Sequence, residues 1–125
     1  MRLLLDTHAL LWALAEPERL AKEARDAVRD GRNEVLVSAA SVWEISIKEA
    51  AGKLRAPDDL LEVTADAGFG SLPILARHAV VAARLPAHHR DPFDRMLIAQ
   101  AREGGLTIVT RDERFRAYDV GILLA

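Results

Sequence analysis

A chain of 125 residues with 50% hydrophobic and 29% charged residues has the make-up of one globular domain, able to bury roughly two thirds of its unfolded surface and too apolar for disorder. The net charge of −2 gives no general attraction for nucleic acid, although 17 Lys and Arg gathered on one face would still provide it. Cysteine is absent, which excludes disulfides, thiolate metal sites and cysteine nucleophiles. Leu3 to Leu5 runs straight into Asp6, so no secretory leader is expected, and no apolar run approaches the roughly 18 residues of a membrane span. A cytoplasmic protein is the expectation.

The opening run Leu3-Leu4-Leu5 predicts a buried parallel strand that ends on a carboxylate, Asp6, at the rim of a sheet. Thr7 to Ala15 reads as a short helix with Thr7 as its N-cap, interrupted at Glu16-Pro17. A second, amphipathic helix spans Leu20 to Asp30, with Leu20, Ala24, Ala27 and Val28 on one face. Glu34 to Val37 is a β-branched strand, followed by a helix from Ser38 to Ala51 that is apolar around much of its circumference and closed by Gly52. A helix opening at Ala56-Pro57-Asp58-Asp59 ends at Gly68 and Gly70, and Ser71 to Ile74 is an edge-like extended piece, since Pro73 cannot donate to a ladder. Ala76 to Leu85 is helical. A polar loop, Ala87 to Asp91, then leads into a helix with Pro92 in its first turn and Phe93, Met96, Leu97, Gln100 and Ala101 as its stripe. Leu106 to Thr110 is a strand, Asp112 to Ala117 a helical turn or two, and Val120 to Leu123 a last strand. Strands alternating with helices imply a three-layer α/β architecture around a parallel sheet.

Four acids stand out by position. Asp6 and Asp112 follow strands, Asp94 lies in the first turn of a helix entered from the same rim, and Glu44 sits between Trp43 and Ile45 in a largely apolar helix. Each has an ordinary explanation. Asp6 and Asp112 suit helix capping, Asp91 an N-cap, and Asp94 a favourable first-turn charge worth roughly 0.3–1 kcal/mol. Glu44 also suits an exposed pair with Lys48 at i, i+4, worth about 0.2–0.5 kcal/mol. Taken together they say more. Two carboxylates about 4 Å apart repel by roughly 4 kcal/mol at an effective dielectric near 20, so converging acids need a counter-cation, and a hard divalent ion with oxygen ligands is the natural one.

The stretches Leu4-Leu5-Asp6-Thr7-His8, Ser38 to Ile45 with Lys48 and Gly52-Lys53-Leu54, His89-Arg90-Asp91-Pro92-Phe93-Asp94-Arg95-Met96 through Ala101, and Thr107 to Asp112 resemble PIN-domain ribonucleases of the VapC toxin type, in order and over almost the whole chain. The resemblance implies a PIN domain over residues 1–125. Its fold would be a three-layer sandwich with a central, mostly parallel sheet of about five strands flanked by helices. It implies that Asp6, Glu44, Asp94 and Asp112 are catalytic and bind Mg²⁺ or Mn²⁺, with Thr110 and Asp91 in support. The implied activity is metal-dependent endoribonuclease cleavage by metal-activated water, in the toxin of a type II toxin–antitoxin pair. A cognate antitoxin protein, an RNA substrate and a homodimer come with it. Arg77, Arg90, Arg95 and Arg111 are the candidates for contacting RNA phosphates.

His8, His88 and His89 are read as structural rather than catalytic, and Trp12 and Trp43, both on apolar stripes, as core or interface packing. Two other readings compete. A receiver-like phosphoacceptor domain would need an acidic pair near the first strand and a lysine near the last, whereas here Arg111 precedes Asp112. A non-catalytic PIN-like RNA-binding or regulatory module is disfavoured by the intact acids.

Overall fold

A computed structural model describes all 125 residues. Five strands, β1 (Arg2–Leu5), β2 (Glu34–Ser38), β3 (Gly70–Leu72), β4 (Thr107–Thr110) and β5 (Gly121–Leu124), form one sheet in the order β3-β2-β1-β4-β5, every neighbouring pair parallel. Between them run six helices: α1 (Thr7–Ala15), α2 (Lys22–Arg29), α3 (Ala39–Ala50), α4 (Leu60–Asp66), α5 (Ala76–Arg84) and α6 (Pro92–Gly104). Two short 3₁₀ turns occupy Pro17–Arg19 and Glu113–Ala117. This is the parallel, helix-flanked α/β sandwich expected of a PIN-like fold. No helix is long and apolar enough to cross a membrane.

β1 is central because both of its faces are apolar. Leu3 and Leu5 face one layer with Ala9, Leu10, Ala24 and Ile45, while Leu4 faces the other with Leu97, Ile98, Ile108 and Phe115. All three leucines are fully buried, each worth about 1.5–3 kcal/mol relative to exposure. The chain moves outward from β1 through β2 to β3, then returns on the far side of β1 as β4. The connections therefore diverge between β1 and β4, and a crevice forms at the carboxyl ends of such a pair. The Asp6 amide donates to the Val109 carbonyl at 3.1 Å, which extends the β1–β4 pairing into that crevice.

The boundaries depart from the sequence expectations where caps and prolines decide them. The N-cap of α1 is Asp6 rather than Thr7, since the Asp6 side chain takes the Ala9 amide and Thr7 occupies the first helical position. Pro17 organises its own 3₁₀ turn, so α2 begins at Lys22 and the buried Leu20 is extended. Pro57 is irregular and Asp58 and Asp59 form a turn rather than helix, and α4 starts at Leu60. Gly105 closes α6 at φ 65°, a left-handed conformation that L side chains rarely adopt. Trp43 is 61% exposed, packing edge-on against Phe93 instead of entering the core.

Candidate functional site

The crevice draws acids from four elements, and Asp94 feels the charge of Asp6, Glu44 and Asp112. The ligand atoms that fall within 4.8 Å of one another as a group are those of Asp94, Asp112 and His89, not of Asp6 or Glu44. Asp6 leaves β1 buried, with Oδ1 accepting the Ala9 amide at 2.8 Å and Oδ2 accepting the Thr110 hydroxyl at 2.6 Å. Burial pushes its pKa up against these two hydrogen bonds and nearby His8, and Glu44 adds to the upward push. Asp6 is thus a helix cap and a crevice acid at once, one oxygen serving each role.

Glu44 is 4% exposed on α3, between the exposed Trp43 and the buried Ile45. Its Oε1 accepts the Thr7 hydroxyl at 2.6 Å and its Oε2 accepts Lys48 Nζ at 2.5 Å. The i, i+4 partner expected of a surface pair is present, but the carboxylate is buried, and Lys48 serves as its counter-ion. Glu44, Asp91 and Asp94 all raise the Lys48 pKa, so the ammonium faces the acidic cluster.

Asp94 comes from the first turn of α6, which Asp91 caps by accepting the Phe93 and Asp94 amides at 2.8 and 3.1 Å. Its pKa is pushed up to about 8, first by burial and then by the charges of Asp91, Asp6, Glu44 and Asp112. Asp112 follows β4 and is held in the opposite direction. Arg114 brackets its carboxylate with three contacts of 2.8–3.2 Å and lowers its pKa.

His89 stands between these last two acids. Its Nε2 lies 2.9 Å from Asp94 Oδ2 and 3.1 Å from Asp112 Oδ2, and the three atoms fall within 4.8 Å of one another. Sequence reasoning assigned it a structural role and did not connect it with the acids. The loop offers His88 and His89 side by side, and only the fold buries one of them, at 2% exposure. Arg114 was also missed, because its meeting with Asp112 depends on the 3₁₀ turn that follows.

The arginines divide. Arg95 gives its guanidinium to the carbonyls of Ala82, Leu85, Pro86 and His89 at 2.7–3.1 Å, clamping the end of α5 to α6. Arg111 bonds the carbonyls of Ala125 and Arg19 and lies 4.3 Å from the Trp12 ring centroid. Arg77 pairs with Glu103. These three forks are spent within the protein, and Arg90, beside the acids in sequence, is the exposed candidate for phosphate.

The donor set suits a hard divalent cation: carboxylates from four elements, two of them fixed by threonine hydroxyls, and one carboxyl pushed up to about 8 by burial first and by neighbouring acids second. The largest groove, about 740 Å³, lies elsewhere, beside α3 and α4. It is lined by Val42, Trp43, Leu61, Phe69, Leu72 and Pro73 among others, and no titratable side chain lines it.

A family profile described as PIN domain matches residues 3–121. The chain is 34% identical to Ribonuclease VapC22 of Mycobacterium tuberculosis over 123 residues, covering 92% of this chain and 90% of that protein. Among solved structures it is similar to VapBC2 from Rickettsia felis bound to a promoter DNA fragment, at TM-score 0.71 and 12% identity, covering 98% of each chain. It is also similar to DNA-bound VapBC from Salmonella typhimurium, at TM-score 0.70 and 19% identity, covering 98% of this chain and 97% of that one. At these identities the solved structures speak for the fold, while the profile and the ribonuclease relative cover nearly the whole sequence. The chain belongs to the PIN domain family.

Proposed function

We propose that the protein is a divalent-metal-dependent endoribonuclease and the toxin of a toxin–antitoxin pair, in which Asp6, Glu44, Asp94 and Asp112 hold Mg²⁺ or Mn²⁺. The observation that carries this reading is the electrostatic contact of Asp94 with Asp6, Glu44 and Asp112 at the β1–β4 crevice, where Asp94 is pushed up to about 8 first by burial and then by the charges around it. The likeness to VapC22, named a ribonuclease, supports RNA as the substrate. The VapBC assemblies among the structural relatives support an antitoxin partner. A homodimer and a cytoplasmic location belong to the same proposal.

The residues divide the work by position. Thr7 and Thr110 donate to Glu44 and Asp6 and fix one oxygen of each, so those carboxylates are oriented before anything binds. Asp91 caps α6 and places Asp94 at the crevice. Arg90, exposed and next to Asp91 in the chain, is the residue assigned to the RNA backbone. When bound, the divalent ion neutralises charge on the phosphoryl oxygens and supplies a water of lowered pKa.

Purified protein freed of any partner should cleave RNA internally with Mg²⁺ or Mn²⁺ and lose cleavage with EDTA. Asp6→Asn is the better variant for testing the site than Asp6→Ala, because Asn retains the cap of α1 whereas Ala costs about 1 kcal/mol there. The variant should keep its circular-dichroism spectrum and lose cleavage. Cutting that survives both EDTA and Asp6→Asn would overturn the assignment.

A further inference from the structure

The cluster of His89 Nε2, Asp94 Oδ2 and Asp112 Oδ2 has the outline of a mixed nitrogen–oxygen metal site, of the kind that suits zinc or another borderline ion. The hydrogen bonds around the ring exclude that use. The Asp91 amide donates to His89 Nδ1 at 3.2 Å, so Nδ1 presents a lone pair and the ring proton sits on Nε2. The other side of the ring gives the same answer independently. Nε2 lies 3.1 Å from Asp112 Oδ2, on a carboxylate that Arg114 keeps ionised and that an N–H satisfies and a lone pair would repel, with Asp94 Oδ2 alongside at 2.9 Å.

The ring is also enclosed. It is 1% exposed and meets Phe115 edge-on, with centroids 5.6 Å apart and planes at 87°. Its backbone amide donates to the Tyr118 hydroxyl at 2.9 Å, which itself donates to the Pro86 carbonyl. Its carbonyl accepts from Arg95 at 3.1 Å. Arg95 lies one residue after Asp94, and Phe115 and Tyr118 follow Asp112, so the segments that carry both carboxylates grip the histidine that joins them.

We infer that His89 is a positioning residue, whose buried Nε2–H is shared by Asp94 and Asp112 and sets the spacing of the two carboxylates, and that it does not itself ligate the ion. This rests on the proposed metal-dependent function for its consequence, though the tautomer stands apart from it. Hydrogen bonds of this kind to ligating carboxylates tune metal affinity. Asp94 commits Oδ2 to the ring, and the site remains one of oxygen ligands alone, suited to Mg²⁺ or Mn²⁺ rather than zinc.

Two measurements decide it. ¹⁵N spectra of histidine-labelled protein should show the His89 proton on Nε2 both without metal and after saturation with Mg²⁺. A proton on Nδ1, or loss of the Nε2 proton on adding Mg²⁺, would overturn the inference. Calorimetric titration with Mn²⁺ then compares wild type, His89→Gln and His89→Phe, with folding checked by circular dichroism. Gln keeps an N–H near the Nε2 position and should bind within about threefold of wild type, whereas Phe fills the space without a donor and should bind about 10–100-fold more weakly. Gln no better than Phe, or Phe equal to wild type, would refute the positioning role. Should Phe fail to fold, Gln affinity and the tautomer carry the test. A wild type that binds neither ion would sink the proposed function instead, and the metal-free spectrum would still test the tautomer.

Discussion

Asp6 and Glu44 have all four of their carboxylate oxygens hydrogen-bonded, to the Ala9 amide, Thr110, Thr7 and Lys48, whereas Asp94 receives a single imidazole N–H that it shares with Asp112. The first pair is completed by neutral donors and one ammonium. In the second, Arg114 neutralises Asp112 and leaves Asp94 with no cation of its own. The difference teaches that the cluster is not uniformly short of positive charge. Its shortage is concentrated on one carboxyl, which holds a proton until a cation replaces it.

The largest expected effect therefore belongs to Asp94. An acid whose folded pKa lies above its ordinary 3.8 binds its proton more tightly when folded, so its contribution to stability is fully present below pH 4 and is lost as the pH rises toward 8. Asp94→Asn should match the metal-free wild type near pH 4 and exceed it by about 3–5 kcal/mol at pH 8, at roughly 1.4 kcal/mol per pKa unit. Mg²⁺ should close that gap by stabilising only the wild type. Urea unfolding at several pH values with and without Mg²⁺ checks this. A gap independent of pH would break the contrast between the two halves.

The Asp6–Glu44 half predicts a smaller effect with a different sign. Lys48→Ala leaves buried Glu44 with Thr7 alone and should cost the metal-free protein about 1 kcal/mol, after allowing for the partial exposure of Lys48. The same variant should bind Mn²⁺ at least as tightly as wild type, since a competing cation is gone. Glu44→Gln should instead weaken Mn²⁺ binding and cut cleavage by an order of magnitude or more while stability stays within about 1 kcal/mol. If calorimetry found Lys48→Ala binding more weakly than Glu44→Gln, Lys48 would belong to the site in its own right.

Arg114→Ala should give the smallest change. Its guanidinium is exposed, so the melting temperature should hardly move. The Asp112 pKa, now held low mainly by Arg114, should rise toward the ordinary carboxylate value, observable as a shifted titration of its carboxyl carbon resonance. An unchanged titration would mean that the Arg114 contact does not persist in solution.

These contrasts explain how much of the protein was legible beforehand. The buried strand Leu3–Leu5 and helices over 76–84 and 92–104 follow from period and punctuation, since an apolar run that enters a carboxylate and a helix opened by Asp-Pro have few other solutions. The edge strand read over Ser71 to Ile74 lies instead at Gly70–Leu72, before Pro73. Capping for Asp6 and pairing with Lys48 for Glu44 were posed as alternatives to a place in the acidic cluster, yet the structure shows these contacts on carboxylates that are buried beside the crevice. Asp6 caps α1 through Oδ1 and meets Thr110 through Oδ2, and Glu44 pairs with Lys48 while buried. A carboxylate has two oxygens, so capping or pairing does not exhaust it.

By itself the sequence determined that strands alternate with helices, that acids stand at strand ends and in one helix's first turn, and that no thiol chemistry is available, because these follow from local propensity and composition. The tertiary structure decided which side chains meet. It separated His89 from His88 and set it between Asp94 and Asp112, turned Arg95 and Arg111 inward to backbone carbonyls, left Trp43 on the surface, and buried the Glu44 end of its pair with Lys48. Each of those outcomes depends on elements far apart in the chain being packed to within hydrogen-bonding distance, or on the angle at which a helix lies on the sheet. No periodicity encodes either, and so the acids were visible in the sequence while the distribution of charge among them was not.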